Sequence, residues 1–226
     1  MKAFSVAGIE RNIGKTSLVE ALVKEFIARG YKVGTIKHIA HGHEFSIDTL
    51  GKDTFRHAQA GAKIIASVAS SETAIIFKTE QEMKIDQVLD FFQNVNFVIV
   101  EGWSSARLQK IVIARNANEV EKMLSNGAAL AITGPIAENS EERSKLKIEI
   151  PIFNNKTQIS QLADLIENKL NLKEKTLKIV DLKVDSKQIP LAPFVQDFIR
   201  TTITGMISSL KKVEPNPKEI RLTIKK

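Results

Sequence analysis

Cysteine is absent from the 226 residues of the sequence. That absence excludes disulfides, iron–sulfur clusters, thiolate zinc sites and a cysteine nucleophile. Long apolar runs are missing too, since no stretch approaches the roughly 18 residues of a membrane-spanning helix. The apolar run at the N-terminus is too short for a signal peptide. We therefore expect a soluble, cytoplasmic protein with no membrane partner.

Most of the chain also lacks an excess of either charge. The formal net charge is +7, but residues 171–226 hold 12 Lys/Arg against 6 Asp/Glu, which leaves residues 1–170 at +1. A basic tail can bind nucleic acid, although a solvated basic surface is the commoner meaning of such a segment. Nucleic-acid binding is therefore not expected.

Strand and helix patterns alternate along the first three quarters of the chain. An apolar run over residues 1–8 predicts a buried strand, and helical spacing of apolar residues over 16–29 predicts a helix. Further strands are predicted at 31–38, 62–68, 74–78, 97–100, 110–114 and 128–133, and further helices at 51–60, 82–92, 118–124 and 157–170. This alternation indicates an α/β fold with a mainly parallel sheet covered by helices on both faces.

The composition changes near residues 171–175, which are polar and lysine-rich and resemble a linker. We therefore expect two domains, residues 1–170 and a small C-terminal β-α-β extension at 171–226. Its strands are predicted at 176–184 and 219–224, with a helix that begins near residues 190–193. A piece this small buries little surface alone, so it should pack on the main domain or on a second subunit.

The first strand runs into the loop Gly-Ile-Glu-Arg-Asn-Ile-Gly-Lys-Thr, residues 8–16, which opens the first helix. Backbone N–H groups and a helix N-terminus form a positive concavity for phosphate oxygens. Gly14 allows close approach, Lys15 can reach the β- and γ-phosphates, and the Thr16 hydroxyl can bind Mg²⁺. The residues predicted to bind the nucleotide are Asn12, Ile13, Gly14, Lys15, Thr16 and Ser17.

One position departs from the usual phosphate-loop (P-loop) pattern G-x-x-x-x-G-K-[ST]. That pattern places glycine at position 9, whereas this chain has Ile9, with Gly8 one residue early. Either the loop is one residue longer, or position 9 needs no positive φ. A chance Gly-Lys-Thr turn is the alternative, but the strand before it and the helix after it favour a phosphate loop.

A carboxylate is expected on a neighbouring strand. Residues 96–102, Asn-Phe-Val-Ile-Val-Glu-Gly, form an apolar run that ends in Glu101, as in the second nucleotide-binding motif. Glu101 would bind Mg²⁺ directly or through water, or polarise the attacking water; an ordinary acidic strand end is the alternative. We predict Lys15 and Glu101 as catalytic residues, and Thr16 and Glu101 as metal ligands.

A second cluster of charged residues and histidines follows the second predicted strand. Three of the four histidines fall within residues 38–43, but their spacing matches no standard zinc site. Cations beside carboxylates better suit a pocket for an anionic second substrate or for the nucleotide's Mg²⁺, and a solvated polar loop is the alternative. The candidates for this second site are Lys37, His38, His41, Asp48, Lys52, Asp53 and Arg56.

Five motifs, in order, resemble those of the molybdopterin-guanine dinucleotide biosynthesis protein B family. They are the phosphate loop, I-K-H-x-x-H over 36–41, D-x-x-G-K-D-[ST]-x-R over 48–56, A-G-A over 60–62 and V-E-G over 100–102. The resemblance spans residues 1–170, and the tail is similar to an extension of some archaeal members. Besides Ile9, the chain departs from the family pattern at Asn96, where aspartate is expected.

The resemblance implies a P-loop NTPase fold, GTP as ligand or substrate, Mg²⁺ and a homodimer. It implies that the chain assists the molybdopterin guanylyltransferase, which joins GMP to molybdopterin or to its metal-loaded form in molybdenum or tungsten cofactor biosynthesis. Family members are weak GTPases or accessory proteins that deliver GTP. By position, residues 14–17 would hold phosphates and metal, the second cluster would line the adjoining site, and Glu101 would be the second-motif acid.

Two features of classical GTPases are absent from the sequence. The N/T-K-x-D motif that reads guanine is not found, so guanine specificity comes from the resemblance alone. No residue stands out as an arginine finger, which fits weak turnover or a site completed by a partner. Two other functions stay open: a P-loop kinase for a small molecule held by the second cluster, and a binding module in which the nucleotide is only a conformational signal.

Overall fold

The computed structural model describes residues 2–40, 46–125, 127–172, 180–210 and 220–224. The chain divides into two compact units, Met1–Leu172 and Lys173–Lys226. The strands are β1 Ala3–Ala7, β2 Val33–Lys37, β3 Ile64–Val68, β4 Thr73–Phe77, β5 Phe97–Glu101, β6 Gln109–Ile113, β7 Ala129–Thr133, β8 Ile152–Phe153, β9 Leu182–Val184 and β10 Lys187–Ile189. The α-helices are α1 Lys15–Ala28, α2 Asp53–Gln59, α3 Ile85–Leu89, α4 Ala117–Leu124, α5 Ser140–Lys145, α6 Ile159–Lys169 and α7 Pro193–Ser208.

A six-stranded sheet in the order β2-β5-β1-β6-β7-β8 forms the centre of the first unit. Every neighbouring pair in it is parallel, and every residue of β5 is buried. Helices lie in the connections from β1 to β2, from β2 to β5, from β6 to β7 and from β7 to β8, as parallel pairing requires. Residues 102–108 join β5 to β6 without a helix, and these two strands flank β1 instead of pairing with each other. The predicted parallel α/β sheet is therefore confirmed.

Alternate residues of the central strands pack into hydrophobic clusters on opposite faces of the sheet. In β6, Ile111 and Ile113 join the cluster that contains Phe26 of α1, whereas Val112 joins the cluster that contains Val120 of α4. This division follows from the two-residue side-chain period of a strand. Both faces of the sheet are therefore covered by helices, as the sequence predicts.

The strands predicted near residues 62–68 and 74–78 exist, but they lie outside the parallel sheet. They form a separate antiparallel pair, β3 with β4. Only four residues connect them, which suits a hairpin, while a parallel pair would need a crossover of about a dozen residues. β8, a two-residue strand that pairs with β7, is not predicted from the sequence.

The second unit differs from the predicted β-α-β extension. Its described part contains an antiparallel hairpin, β9 with β10, followed by α7. Asp185 and Ser186 both have positive φ, 49° and 65°, as in the turns that close two-residue hairpins. Of the strand predicted at 219–224, the described residues 220–224 are in no strand. Residue 219, and residues 176–179 of the strand predicted at 176–184, lie outside the described residues.

Among the residues that the structure describes, no helix is long and apolar enough to cross a membrane.

Candidate functional site

The phosphate loop joins β1 to α1. Its backbone conformation explains why the glycine of the usual pattern is missing at position 9 and found at position 8. Positive φ occurs at Asn12 (57°) and Gly14 (99°) in this loop, and Ile9 is not among the residues with positive φ. Position 9 therefore needs no glycine. Gly8 serves packing instead, because a Cβ there would lie 2.6 Å from the Ile113 carbonyl oxygen on β6.

Lys15 extends across this loop. Its ammonium donates to the carbonyl oxygens of Glu10, at 2.5 Å, and Gly8, at 3.3 Å. Burial lowers the pKa of Lys15 below its usual value, and the positive charge of Lys37 lowers it further, against the opposing charges of Glu101 and Glu10. The loop therefore holds its cation partly desolvated, where an anion gains most from meeting it.

Glu101 connects the loop to the second strand of the sheet. The Thr16 hydroxyl donates to Glu101 Oε1 at 2.8 Å, and the Lys37 ammonium forms an ion pair with the same oxygen. The register of the sheet creates this arrangement, because Lys37 of β2 and Val6 of β1 both lie opposite Glu101 of β5. Glu101 is only 7% exposed, so its charge is held by these partners rather than by water.

The oxygens of this cluster suit Mg²⁺. The Thr16 hydroxyl donates a hydrogen bond to Glu101, which leaves lone pairs on the hydroxyl oxygen available to a cation. Mg²⁺ commonly takes one or two protein oxygens and completes its shell with substrate phosphates and water. In the ranges that the structure describes, no group of three or more His, Asp or Glu could hold a metal ion. His41 and His43 lie outside the described residues.

A cavity of about 270 Å³ opens beside the carboxylate, between α1, β2 and β5. Polar residues, among them Thr16, Lys37 and Glu101, and aliphatic residues both line it. The lining residues are Thr16, Val19, Glu20, Val23, Thr35, Ile36, Lys37 and Glu101. Thr16 and Glu101, the two predicted metal ligands, therefore both border this cavity.

His38 lies next to the carboxylate, but its ring points to different partners. Its backbone N–H donates to the Glu101 carbonyl oxygen at 3.0 Å. Its Nε2 lies 2.6 Å from Glu82 Oε1, and its ring stacks on Trp103 with centroids 4.7 Å apart and planes at 15°. His38 thus links the phosphate-loop side to the segments that carry Glu82 and Trp103.

The remaining described candidates for the second site stay apart from this cluster. Asp48 Oδ1 accepts from the Thr54 hydroxyl at 2.8 Å, Lys52 immediately precedes α2, and Asp53 and Arg56 approach within 3.7 Å of each other on its exposed surface. These side-chain contacts stay within residues 48–56. The structure brings Lys37 and His38 beside Glu101, and it places the other four on the segment that follows.

Two residues of this region were not predicted from the sequence. Trp103 follows Glu101-Gly102, and both Gly102 and Trp103 have positive φ, 85° and 53°, so the chain turns sharply and directs an aromatic ring back towards His38. An aromatic residue directly after the V-E-G motif is the signal that could have found it. Glu82 has no local signal, because only the fold brings it to His38.

The sequence of this chain is similar to that of a known protein family. Residues 3–134 match the protein family described as MobB, molybdopterin guanine dinucleotide synthesis protein B. A putative molybdopterin-guanine dinucleotide biosynthesis adapter protein from Methanocaldococcus jannaschii is 29% identical over 99% of this chain and 97% of its own. The adapter protein from Haemophilus influenzae is 30% identical over 70% of this chain and 84% of its own.

Solved structures are similar to three quarters of the chain. The crystal structure of MobB from Bacillus subtilis has a TM-score of 0.61 at 23% identity and covers 75% of this chain and 98% of its own. A crystal structure of molybdopterin-guanine biosynthesis protein B has a TM-score of 0.58 over 75% of this chain. These likenesses confirm the fold. With the family match over residues 3–134, they lead to one conclusion: this chain belongs to the MobB family, molybdopterin guanine dinucleotide synthesis protein B.

Proposed function

We propose that this protein binds GTP with Mg²⁺ in the cytoplasm, hydrolyses it slowly, and assists the attachment of GMP to molybdopterin. One observation carries the proposal: Thr16 and Lys37 meet on the same oxygen of Glu101, beside a loop that holds the Lys15 ammonium. A hydroxyl and a cation at the start of α1, with a cation at the end of β2 and a carboxylate at the end of β5, are the groups that bind a nucleoside triphosphate and its metal.

The side chains of this cluster define what the chain contributes to GTP hydrolysis. The reaction joins a water oxygen to the γ-phosphorus and breaks its bond to the β–γ bridging oxygen, giving GDP, inorganic phosphate and a proton. Lys15 would stabilise negative charge on the bridging oxygen, and Glu101 would orient the Thr16 hydroxyl. Mg²⁺, when bound, would neutralise charge on the β- and γ-phosphates. Positioning and electrostatics supply most of the rate in such reactions.

Lys37 has the position of a second phosphate cation. Its side chain is 56% exposed while its ammonium contacts a buried carboxylate, so it can turn towards an anion without breaking the core. A phosphate oxygen beside Thr16 would compete with Glu101 for this ammonium. We infer that Lys37 binds the terminal phosphate and thereby adds the charge that a missing arginine finger would supply.

Product analysis with two lysine variants tests the enzymatic part of this proposal. Lys15→Ala removes the loop cation, whereas Lys24→Ala removes an exposed lysine from the same helix and is the matched control. We expect slow release of GDP and free phosphate by the wild type and by Lys24→Ala, and a loss of at least about tenfold in Lys15→Ala. Phosphate transferred to a metabolite would instead identify a small-molecule kinase.

A homodimer is the second part of the proposal, and the β3–β4 hairpin supports it. Ile64, Ala66 and Val68 share one face of β3, and Phe77 and Ile75 lie opposite the first two on β4. Ile64 is 62% exposed, Val68 76% and Ile75 56%. A two-stranded hairpin with an uncovered apolar face is marginal in water, and a second copy of this chain could cover that face symmetrically.

Light scattering after gel filtration tests the dimer. Val68→Lys places a charge on the apolar face, and Ser67→Lys places the same charge on the opposite face of the same strand. We expect a dimeric wild type, a dimeric Ser67→Lys and a monomeric Val68→Lys. A monomeric wild type, or equal dissociation of both variants, would remove the hairpin from the proposal.

The names of similar proteins indicate which binding partners to propose for this chain. The Haemophilus influenzae relative is named a molybdopterin-guanine dinucleotide biosynthesis adapter protein. An adapter in that process would meet the guanylyltransferase and molybdopterin or its metal-loaded form. We therefore propose both as partners of this chain, with GTP as the ligand that the phosphate loop contributes.

A further inference from the structure

A second cavity lies within the first unit, next to the stacked rings of His38 and Trp103. It measures about 370 Å³, within the roughly 300–1,000 Å³ of small-molecule sites. It is bordered by residues 82–86, which lead into α3, and by 103–108, which follow β5. Trp103 thus lines this cavity only two residues from Glu101, which lines the first one.

The apolar lining of this cavity is held by the core. Trp103, Ile85 and Leu108 border the cavity and also pack against a buried cluster that includes Leu89 and Val100. The ring of Trp103 is further fixed by its stack on His38. A planar ligand would therefore meet preformed aromatic and aliphatic surface, which reduces the entropy lost on binding.

The polar lining combines two carboxylates with two cations. Glu82 and Asp86 come from one side of the cavity, Lys84 from the same segment, and Arg107 from the other side. Glu82 already binds the His38 ring at 2.6 Å, which limits its freedom. A carboxylate accepts two parallel N–H groups, and an arginine binds a phosphate in the same paired way.

We propose that this cavity binds the 2-amino-4-oxopyrimidine ring of a pterin that carries a phosphate. Such a ring is planar and presents an N–H and an NH₂ group side by side, which match a carboxylate. Its phosphate would be bound by Arg107 or Lys84. The choice of a pterin rests on the proposed function, since guanine has the same pyrimidine edge. The phosphate loop would then hold GTP while the neighbouring cavity holds the second ligand.

Trp103 gives a direct test, because it is the single tryptophan of the chain. The probes are 6-hydroxymethylpterin phosphate and GTP·Mg²⁺, each titrated against the full chain while tryptophan fluorescence is recorded, with free tryptophan amide correcting for absorption by the pterin. We expect saturable quenching by the pterin, with equal affinity in the wild type and in Lys15→Ala. Affinity should fall about tenfold in Asp86→Asn and in Arg107→Gln, because each loses a charged hydrogen bond.

The control variant is Asp90→Asn, which removes a carboxylate one helical turn after Asp86 and outside the cavity lining. It should bind the pterin as the wild type does. Absence of saturable quenching, or equal affinity in all variants, would overturn the proposal. Quenching of Lys15→Ala by GTP without quenching by the pterin would also overturn it and would identify a guanine site. GTP binding by the phosphate loop is measured separately with a fluorescent GTP analogue. If the loop fails to bind GTP, the pterin titration can still be interpreted.

Discussion

The end of the parallel sheet and the β3–β4 hairpin are built in opposite ways. At the sheet, β5 is buried along its whole length and Glu101 is fixed by strands on both sides. At the hairpin, Ile64 and Val68 remain mostly exposed. The comparison shows which region can hold reacting groups in a fixed geometry. Strand register fixes the side chains at the end of the sheet, whereas the hairpin offers apolar surface that a partner can cover.

The largest expected difference between the two regions is in folding stability. Phe97→Ala in β5 removes a ring that is fully buried against Phe26 and Phe4, and it should lower the free energy of unfolding by about 3–5 kcal/mol. Ile64→Ala in the hairpin should change it by no more than about 0.5 kcal/mol in the monomer, because that side chain is already in water. Urea denaturation of both variants measures the difference, and equal effects would contradict the comparison.

A smaller effect is expected where Gly8 passes β6. Gly8→Ala would place a Cβ 2.6 Å from the Ile113 carbonyl oxygen, so β1 or β6 must shift, at about 1–3 kcal/mol. Gly61→Ala is the control in the other region: Gly61 has positive φ, at 106°, whereas Gly8 does not, and nothing lies near its Cβ. We expect the thermal midpoint to fall clearly for Gly8→Ala and less for Gly61→Ala. The reverse order would show that backbone conformation outweighs packing here.

The Mg²⁺ dependence of GTP binding should distinguish Glu101 from Asp53, a carboxylate of the α2 segment that precedes the hairpin. Glu101→Gln removes the charge shared by Thr16 and Lys37, and it should weaken Mg²⁺-dependent GTP binding by about tenfold, the scale of one charged hydrogen bond. Asp53→Asn, on the exposed surface of α2, should leave that affinity unchanged. Calorimetric titration with and without Mg²⁺ measures both. A wild-type response from Glu101→Gln would remove this residue from the metal site.

The smallest effect is a shift in pH dependence. Because burial and the charge of Lys37 lower the pKa of Lys15, the free protein loses this positive charge at a lower pH than an ordinary lysine would. GTP affinity should therefore be full at neutral pH and should decline with rising pH before the usual lysine range is reached. Lys37→Gln removes one of the two causes and should move the decline to higher pH. A profile that is the same in both proteins would contradict this origin of the shift.

Much of the parallel sheet was predictable from the sequence, because its strands are continuous apolar runs and its helices have clear periodicity. The phosphate loop was predictable from Gly14, Lys15 and Thr16 in their strand-to-helix context. The β9–β10 hairpin was not, since Asp185 and Ser186 are weaker turn signals than Asn-Gly. Long-range pairs such as His38 with Glu82 and Trp103 have no local signature, so the second cavity appears only in the folded chain.

The central claim is that the loop at the end of β1 is a GTP site, and one titration tests it most directly. GTP and ATP are titrated against the wild type and Lys15→Ala, each with and without Mg²⁺. We expect GTP to bind more tightly than ATP, Mg²⁺ to strengthen GTP binding, and Lys15→Ala to bind neither nucleotide. A clear preference for ATP, or GTP binding that survives Lys15→Ala, would contradict it.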